Sequence, residues 1–214
     1  MAKKQPFYSG PFRGSLKLAV YFLFRPKVIW KDKSLKKLAK KHPFVFVANH
    51  TNYYDGAFAG MVLSRFKTYV LVAKDQLEKS YGKFIKLTHH VQVDRYAPDA
   101  DWYIEATEVI KSGKSMLIFP EGGVARDGVM KDFKPGAALL AATTGAAIVP
   151  CAIYGKYDMV FGKRQRLVIG EPIEMNCPAD MRHSIYAKQQ IALAQQQVQA
   201  LLDEIENKPD KISE

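Results

Sequence analysis

The sequence predicts a single-domain α/β fold, in which a mixed but mostly parallel central sheet carries helices on both faces. Short apolar runs rich in β-branched and aromatic residues alternate with longer segments of helical periodicity, an order typical of such sheets. A chain of 214 residues is also long enough for one substantial hydrophobic core. Neither a repeat nor an internal linker interrupts the order of elements, so we expect one domain.

Buried strands are predicted where a short apolar run ends in a polar or glycine-containing turn. The predicted strands are residues 44–48, 68–73, 91–94, 115–119, 147–154 and 166–169. The predicted helices are residues 55–65, 81–87, 99–111 and 135–144, followed by an amphipathic C-terminal helix over about 181–206. Residues 31–41 form a lysine-rich helix or loop. In sheets of this kind, functional residues gather in the loops just past the carboxyl ends of strands.

Two apolar segments could either pack inside the domain or serve another purpose, one as a membrane span and the other as a coiled-coil helix. Residues 135–155 carry no charge and are long enough to span a bilayer, but Gly145 and Pro150 break the segment. We therefore expect a buried helix, a turn and a buried strand there. The apolar stripe of the C-terminal helix, which includes Ile191 and Val198, predicts packing on the domain, with a coiled-coil partner as the alternative.

The excess positive charge is confined to the N-terminal fifth of the chain. Residues 1–42 contain twelve Lys or Arg and a single acid, Asp32, whereas the rest of the chain is neutral. A localised basic segment predicts a polyanionic partner. Nucleic acid is disfavoured as that partner, because large apolar residues accompany the charge and no known nucleic-acid-binding motif occurs.

The N-terminal segment, residues 1–30, is predicted to associate with an anionic membrane surface. Residues 12–24 have the periodicity of a short helix with a wide apolar face and flanking cations, which suits the plane of a membrane interface. Packing of this helix on its own domain, residues 31–214, is the alternative. The apolar run is short and no small-residue cleavage site follows, which disfavours a secretory signal. Cys151 and Cys177 lack the spacing of a disulfide framework or a metal site, so reduced thiols are expected.

The loop after the first predicted strand contains a histidine and an aspartate in the arrangement H-x-x-x-x-D. His50 and Asp55 would not share one face of a continuous helix. If the chain turns after His50 and a helix starts just before Asp55, the carboxylate can accept a hydrogen bond from the imidazole. Such a pair fixes the tautomer and can activate a hydroxyl near neutral pH. By itself the spacing is a weak signal, because a capping Asp and a surface His would produce it too.

The second motif follows the strand predicted at 115–119 and reads Phe119-Pro120-Glu121-Gly122-Gly123. A glutamate between proline and two glycines has a restricted backbone, and the glycines allow a ligand to approach the main chain. A glycine-rich turn with a solvated glutamate is the alternative interpretation.

Together, the two motifs resemble the glycerolipid acyltransferase family, whose best-known members acylate glycerol-3-phosphate or 1-acylglycerol-3-phosphate. The resemblance extends from about residue 25 to residue 170. Shorter matches include Lys74 after the second strand, the Asp94-Arg95 pair after the third, and residues 133–136 before the next helix.

The resemblance implies a role for each matching residue. His50 would be the general base and Asp55 its orienting carboxylate. The residues expected at the substrate are Arg95, Glu121, Gly122, Gly123, Arg126 and Lys74. No metal and no cofactor are implied. The acceptor would be a lysophospholipid and the donor a thioester, either acyl-CoA or acyl-carrier protein, with direct transfer and no acyl-enzyme. The enzyme would work at the cytoplasmic face of the cell membrane as a peripheral or monotopic protein.

One departure from the family pattern concerns the phosphate of the acceptor. The family commonly has Thr-Arg after Glu-Gly, whereas this chain has Gly123-Val124. Arg95 and Arg126 therefore remain as candidates for binding the phosphate. A different lipid acceptor, a thioesterase or hydrolase built on the same His–Asp pair, and a non-catalytic membrane-binding module stay open as alternatives.

Overall fold

The computed structural model describes residues 24–79, 89–96, 100–157 and 164–207, together with Gly14, Leu18, Tyr21, Phe22 and Gly82. Their strands form one seven-stranded sheet in the order β1-β7-β6-β2-β5-β3-β4. All neighbouring strands are parallel except β6 and β7, so the predicted mixed, mostly parallel sheet is confirmed. The strands are β1 Lys27–Trp30, β2 Val45–Ala48, β3 Thr68–Ala73, β4 His89–Val93, β5 Ser115–Ile118, β6 Ile148–Tyr154 and β7 Arg166–Ile169.

Helices cover both faces of the sheet, as the sequence predicts. The helices are α1 Leu35–Leu38, α2 Asp55–Leu63, α3 Lys74–Leu77, α4 Asp101–Lys111, α5 Gly136–Thr144 and α6 His183–Asn207, with a 3₁₀ turn at Ser64–Phe66. A hydrophobic core lies on each face of the sheet, and alternate residues of the central strand β2 face one core or the other. Val45 and Val47 pack with α4, α5 and α6, whereas Phe46 and Ala48 pack with α1 and α2.

The C-terminal helix α6 packs on the domain, so the coiled-coil alternative is not needed to explain its apolar stripe. Ile191, Ala194, Val198 and Ile205 are all buried. They lie against α5 and β6, where apolar burial stabilises the helix on the sheet. The uncharged segment before it forms α5, a turn at Gly145 and strand β6, as predicted. Within the described part of the chain, no helix has both the length and the apolar character needed to cross a membrane.

Two short elements were not predicted. Strand β1, Lys27–Trp30, pairs with β7 at the edge of the sheet, so residues 27–30 of the N-terminal segment belong to the domain. Helix α3 follows β3 directly. Each element has only four residues, and neither contains the run of buried apolar residues that indicates a strand or helix in the sequence. In addition, β4 begins at His89, two residues before the predicted start, because histidines interrupt its apolar pattern.

Two predicted helices, at residues 12–24 and 81–87, can be followed only in part. Leu18, Tyr21 and Phe22 are helical, and their side chains are exposed by 60%, 59% and 71%. The rest of the predicted helix at 12–24, apart from Gly14 and Phe24, lies outside the described residues. The helix predicted at 81–87 also lies outside them, except for Gly82.

Candidate active site

The two sequence motifs lie at the same edge of the sheet. Strands β2 and β5 are parallel neighbours, so their carboxyl ends lie side by side. The loop after β2 contains His50, and the loop after β5 contains Glu121. The two loops also share a backbone hydrogen bond, in which the Ala125 N–H donates to the His50 carbonyl oxygen over 2.7 Å.

His50 and Asp55 form the contact that their spacing predicts. The His50 Nδ1 atom lies 3.1 Å from Oδ2 of Asp55, which is the first residue of α2 and is fully buried. The same oxygen accepts hydrogen bonds from the backbone N–H groups of Thr51 and Asn52, over 2.8 and 2.7 Å. The carboxylate therefore holds the turn between the two residues as well as the imidazole.

The imidazole of His50 is held on a second side by an aromatic ring. Phe119 stacks on it with 4.3 Å between ring centroids and 28° between planes. The His50 side chain is 17% exposed. Because Nδ1 faces Asp55, the Nε2 atom on the far side of the ring points away from the carboxylate and is the nitrogen that can take up a proton.

Glu121 braces the two loops. Its Oε1 atom accepts a hydrogen bond from the His50 N–H over 2.7 Å, and its Oε2 atom accepts one from the Lys131 N–H over 3.0 Å. Burial raises the pKa of this carboxyl, although both N–H donors favour its charged form. Both oxygens therefore face the protein's own backbone and hold the loop, and the predicted contact of Glu121 with an acceptor stays a prediction.

The two glycines after Glu121 lie beneath two cationic side chains. Gly122 has a φ of +72°, which side chains disfavour, and a Cβ atom there would lie 2.8 Å from Nζ of Lys134. A Cβ atom on Gly123 would lie 3.7 Å from the Arg95 guanidinium. The positive φ therefore favours glycine at position 122, whereas a Cβ atom at position 123 would make only an ordinary contact with Arg95.

Arg95 connects this turn to α3. One guanidinium nitrogen donates to the Gly122 carbonyl oxygen over 3.2 Å, and the other donates to Asp75 Oδ2 over 2.7 Å. The neighbouring residues form a weaker pair, with Lys74 Nζ 3.9 Å from Asp94 Oδ2. Asp75 therefore partly neutralises the charge of Arg95, and Lys74 lies at the same edge of the sheet.

Arg126 joins the loop after β5 to the loop after β2 a second time. Its guanidinium donates to the Tyr53 hydroxyl over 2.6 Å and lies near that ring. With this contact, all eight residues selected from the sequence lie in one connected region, although Lys74 and Arg126 are at its exposed margin. Among the residues that the structure describes, no three His, Cys, Asp or Glu side chains are grouped as metal ligands.

Two site residues were not selected from the sequence. The buried Asn49 side chain makes paired hydrogen bonds with the backbone of Ile153 in β6, which anchors the start of the His50 loop. The Tyr157 hydroxyl, beyond the end of β6, donates to Asp55 Oδ1 over 2.5 Å. The parallel pairing of β6 with β2 brings Tyr157 to the site. The signal for Tyr157 in the sequence is its place in the loop just past the carboxyl end of a predicted strand, where functional residues of such sheets gather.

Comparisons with known proteins agree with this geometry. The sequence profile of the acyltransferase family matches residues 30–154. The chain is 27% identical over 173 residues to a 1-acyl-sn-glycerol-3-phosphate acyltransferase of Bacillus subtilis (strain 168), covering 79% of this chain and 84% of that protein. It is 32% identical over 117 residues to the chloroplastic enzyme LPAT1 of Arabidopsis thaliana, covering 53% of this chain but only 32% of that longer protein.

A solved structure shows the same fold. The crystal structure of the 1-acyl-sn-glycerophosphate (LPA) acyltransferase PlsC from Thermotoga maritima aligns with a TM-score of 0.64 and 19% sequence identity. The alignment covers 92% of this chain and 82% of that one. The family match includes β2, β5, the His50–Asp55 pair and the Glu121 loop. On these grounds the chain belongs to the acyltransferase family and is an enzyme of acyl-group transfer.

Proposed function

We propose that the enzyme transfers a fatty-acyl group from a thioester donor to the free hydroxyl of a lysophospholipid, with 1-acylglycerol-3-phosphate as the preferred acceptor, in phospholipid biosynthesis. The main observation behind the proposal is that the hydrogen-bonded His50–Asp55 pair lies in the loop next to the Gly122–Gly123 turn, which has cationic side chains close to its main chain. The first supplies a base for a hydroxyl, and the second suits a phosphate. The names of the Bacillus and Arabidopsis relatives support the same acceptor.

His50 acts as the general base. Its Nε2 atom removes the hydroxyl proton as the acceptor oxygen attacks the thioester carbonyl. Asp55 keeps the proton on Nδ1 and stabilises the imidazolium that forms. The tetrahedral intermediate then expels the thiolate, which receives the proton from the imidazolium, so that ester and free thiol are the products. A positioned base of this kind contributes about 10²- to 10⁴-fold to the rate.

The acceptor phosphate lies over the Gly122–Gly123 turn. Arg95 and Lys134 are the cations nearest to that main chain. Arg126, at the outer margin, uses the same guanidinium to donate to Tyr53, and its other N–H groups are available to a phosphate. Where the family commonly has Arg, this chain has Val124, which leaves this role to Arg95 after β4 and to cations further along the loop after β5. Gly122 and Gly123 contribute their small size, and Glu121 contributes the shape of the loop.

The transfer is direct, without an acyl-cysteine. Cys151 is fully buried, and burial raises the pKa of its thiol, which makes it a poor nucleophile. Cys177 lies after β7, in the loop before α6, where it hydrogen-bonds backbone oxygens of its own loop. The donor is an acyl thioester, either acyl-CoA or acyl-carrier protein.

The acceptor reaches the site from an anionic membrane surface. Support for this part of the proposal comes from the exposed apolar side chains of Leu18, Tyr21 and Phe22, in a segment rich in lysine and arginine. The protein would then be peripheral or monotopic at the cytoplasmic face of the cell membrane. Flotation with vesicles tests this: binding should require anionic lipid and weaken in a Tyr21→Ser, Phe22→Ser double variant.

An acceptor panel tests the proposed reaction. Purified enzyme receives one labelled acyl group as acyl-CoA or as acyl-carrier protein, with lysophospholipids of different headgroups, and products are identified by mass spectrometry. We expect label in phosphatidate, no transfer by His50→Ala, and normal transfer by His183→Ala, which changes an exposed histidine at the start of α6. Thioester loss that is independent of any acceptor would instead indicate a hydrolase. Full activity in His50→Ala would disprove the proposed mechanism.

A further inference from the structure

The catalytic carboxylate has a hydrogen-bond donor from outside the two motifs. Asp55 uses Oδ2 for His50 and for two backbone N–H groups. Its other oxygen, Oδ1, accepts the hydroxyl of Tyr157, which lies three residues past the end of β6. Tyr157 is also outside the matched family region, which ends at residue 154. It therefore belongs to a third loop at this edge of the sheet.

The ring of Tyr157 is fixed by aromatic neighbours. Phe24 and Phe58 contact it nearly edge-on, with centroid distances of 5.4 and 5.9 Å and interplanar angles of 86° and 82°. Tyr54 contacts it at 5.7 Å. Contacts from these rings restrict the side chain and thereby the position of its hydroxyl.

The hydroxyl is a permanent donor. Burial, followed by the negative charge of Asp55, raises the pKa of Tyr157 well above its ordinary value, so the phenol stays protonated wherever the enzyme works. Asp55 is fully buried, so solvent does not readily replace this donor. Loss of the hydroxyl would leave Oδ1 without the only side-chain donor found for it in the described part of the chain.

We infer that Tyr157 is a positioning residue for acyl transfer, which holds Asp55 so that Oδ2 faces His50 Nδ1 and moderates the basicity of the carboxylate. The inference rests on the proposed function, because it assigns Tyr157 a role in the same reaction. Tyr157 acts through Asp55 and does not contact the reacting atoms.

Removal of the hydroxyl should shift the pH dependence in a defined direction. Donation to Oδ1 stabilises the carboxylate anion, so without it the His50–Asp55 pair binds its proton more tightly. The acid limb of the kcat profile should then move to higher pH. Two further titratable residues lie near the pair: Glu121 contacts the His50 backbone, and Tyr54 contacts the Tyr157 ring.

The experiment compares Tyr157→Phe with the wild type in acceptor-dependent transfer. We expect a fall in kcat of about 10-fold, typical of a lost hydrogen bond to a charged group. The acceptor KM should stay within about twofold, as expected when binding is not affected. Tyr103→Phe is the matched control, because its hydroxyl also makes hydrogen bonds, to Leu139 and Thr143 of α5. That variant should keep the wild-type kcat and pH profile.

A double-mutant cycle tests whether Tyr157 acts through Asp55. In an Asp55→Asn background, the further change Tyr157→Phe should lower kcat much less than it does alone. A full additional loss would contradict the inference, as would an unchanged pH profile or a rise in KM alone.

A fluorinated tyrosine at position 157 covers the case in which Tyr157→Phe does not fold. It keeps the ring and the hydroxyl and makes the hydroxyl a stronger donor, so the acid limb should move to lower pH. An unmoved limb would overturn the inference. The proposed function fails separately: it is wrong if the wild type shows no acceptor-dependent transfer, whatever the Tyr157 variants do.

Discussion

The two loops of the site differ in how they are held. The loop after β2, between Ala48 and α2, is organised around the fully buried Asp55, whose oxygens take hydrogen bonds from side chains and backbone. The loop after β5 places Gly122 and its cations at the surface, with Glu121 as its buried brace. In the proposed reaction, the first loop would fix the geometry of a proton transfer, and the second, more exposed loop would contact the headgroup. Changes in the first should therefore affect kcat, and changes in the second should affect KM.

The largest effect is expected at the carboxylate. Asp55→Asn should lower kcat by about 10²- to 10⁴-fold, because the amide no longer stabilises the imidazolium. The acceptor KM should change little, since Asp55 lies beneath His50 and not beside the cations. Steady-state kinetics on a variant of unchanged circular dichroism measures both constants. A raised acceptor KM with normal kcat would contradict the assignment of kcat effects to the loop after β2.

Glu121 connects the two loops, so its substitution should affect both. In Glu121→Gln, an amide N–H would oppose a backbone N–H of either His50 or Lys131. We expect kcat to fall by about 10-fold and the free energy of unfolding by about 1–3 kcal/mol, the cost of an unsatisfied buried group. Urea denaturation and steady-state kinetics measure the two losses. Normal stability would show that the brace contributes nothing.

The pH dependence of stability provides a separate test of Glu121. Its folded-state pKa is raised above the ordinary value of 4.5 by burial, so the native state holds the proton more tightly than the unfolded chain does. Its contribution to the free energy of unfolding is therefore largest below 4.5 and declines as pH rises through the raised pKa. Urea denaturation from about pH 4 upward measures the difference in the free energy of unfolding between the wild type and Glu121→Gln. This difference should decline as pH rises.

Arg95 should show the opposite kinetic pattern to Asp55. Arg95→Gln removes a charged donor over the Gly122–Gly123 turn, so the KM for a phosphate-bearing acceptor should rise by about 10-fold, with a small change in kcat. Asp75→Asn, which frees the guanidinium from its partner, should lower that KM. An equal effect on a lysolipid whose phosphate is masked by a headgroup would argue against a phosphate contact.

The smallest effect is expected at Arg126. Its guanidinium already donates to Tyr53 and lies at the exposed margin. Arg126→Ala should raise the acceptor KM by about two- to threefold, in line with the small worth of exposed charge contacts. Raising the salt concentration should reduce the difference between the variant and the wild type. A larger effect than that of Arg95→Gln would place the phosphate at the outer margin.

The sequence predicted the elements that contain a buried apolar run, including the four-residue strands β2, β5 and β7. β3 and β7 have the predicted bounds, and the helix at Asp101–Lys111 starts within two residues of its prediction. β1 and α3 were missed because neither contains a run of buried residues: β1 is partly exposed throughout, and only Leu77 of α3 is buried. β1 is also an edge strand, whose pairing with β7 depends on a chain segment far away in sequence. Such pairing leaves no local pattern.

Within the site, the His50–Asp55 contact could be predicted because a turn after His50 and a helix start at Asp55 bring the two side chains within reach. Their spacing alone was a weak signal, and it became specific only with the glutamate and glycine motif after β5, in an α/β sheet that places both loops at one edge. Only the tertiary structure decided that Glu121 faces the backbone and that Tyr157 completes the bonding of Asp55. The physical reason is that a buried carboxylate takes whichever donors the folded chain brings within about 3 Å, and distant strands supply those donors.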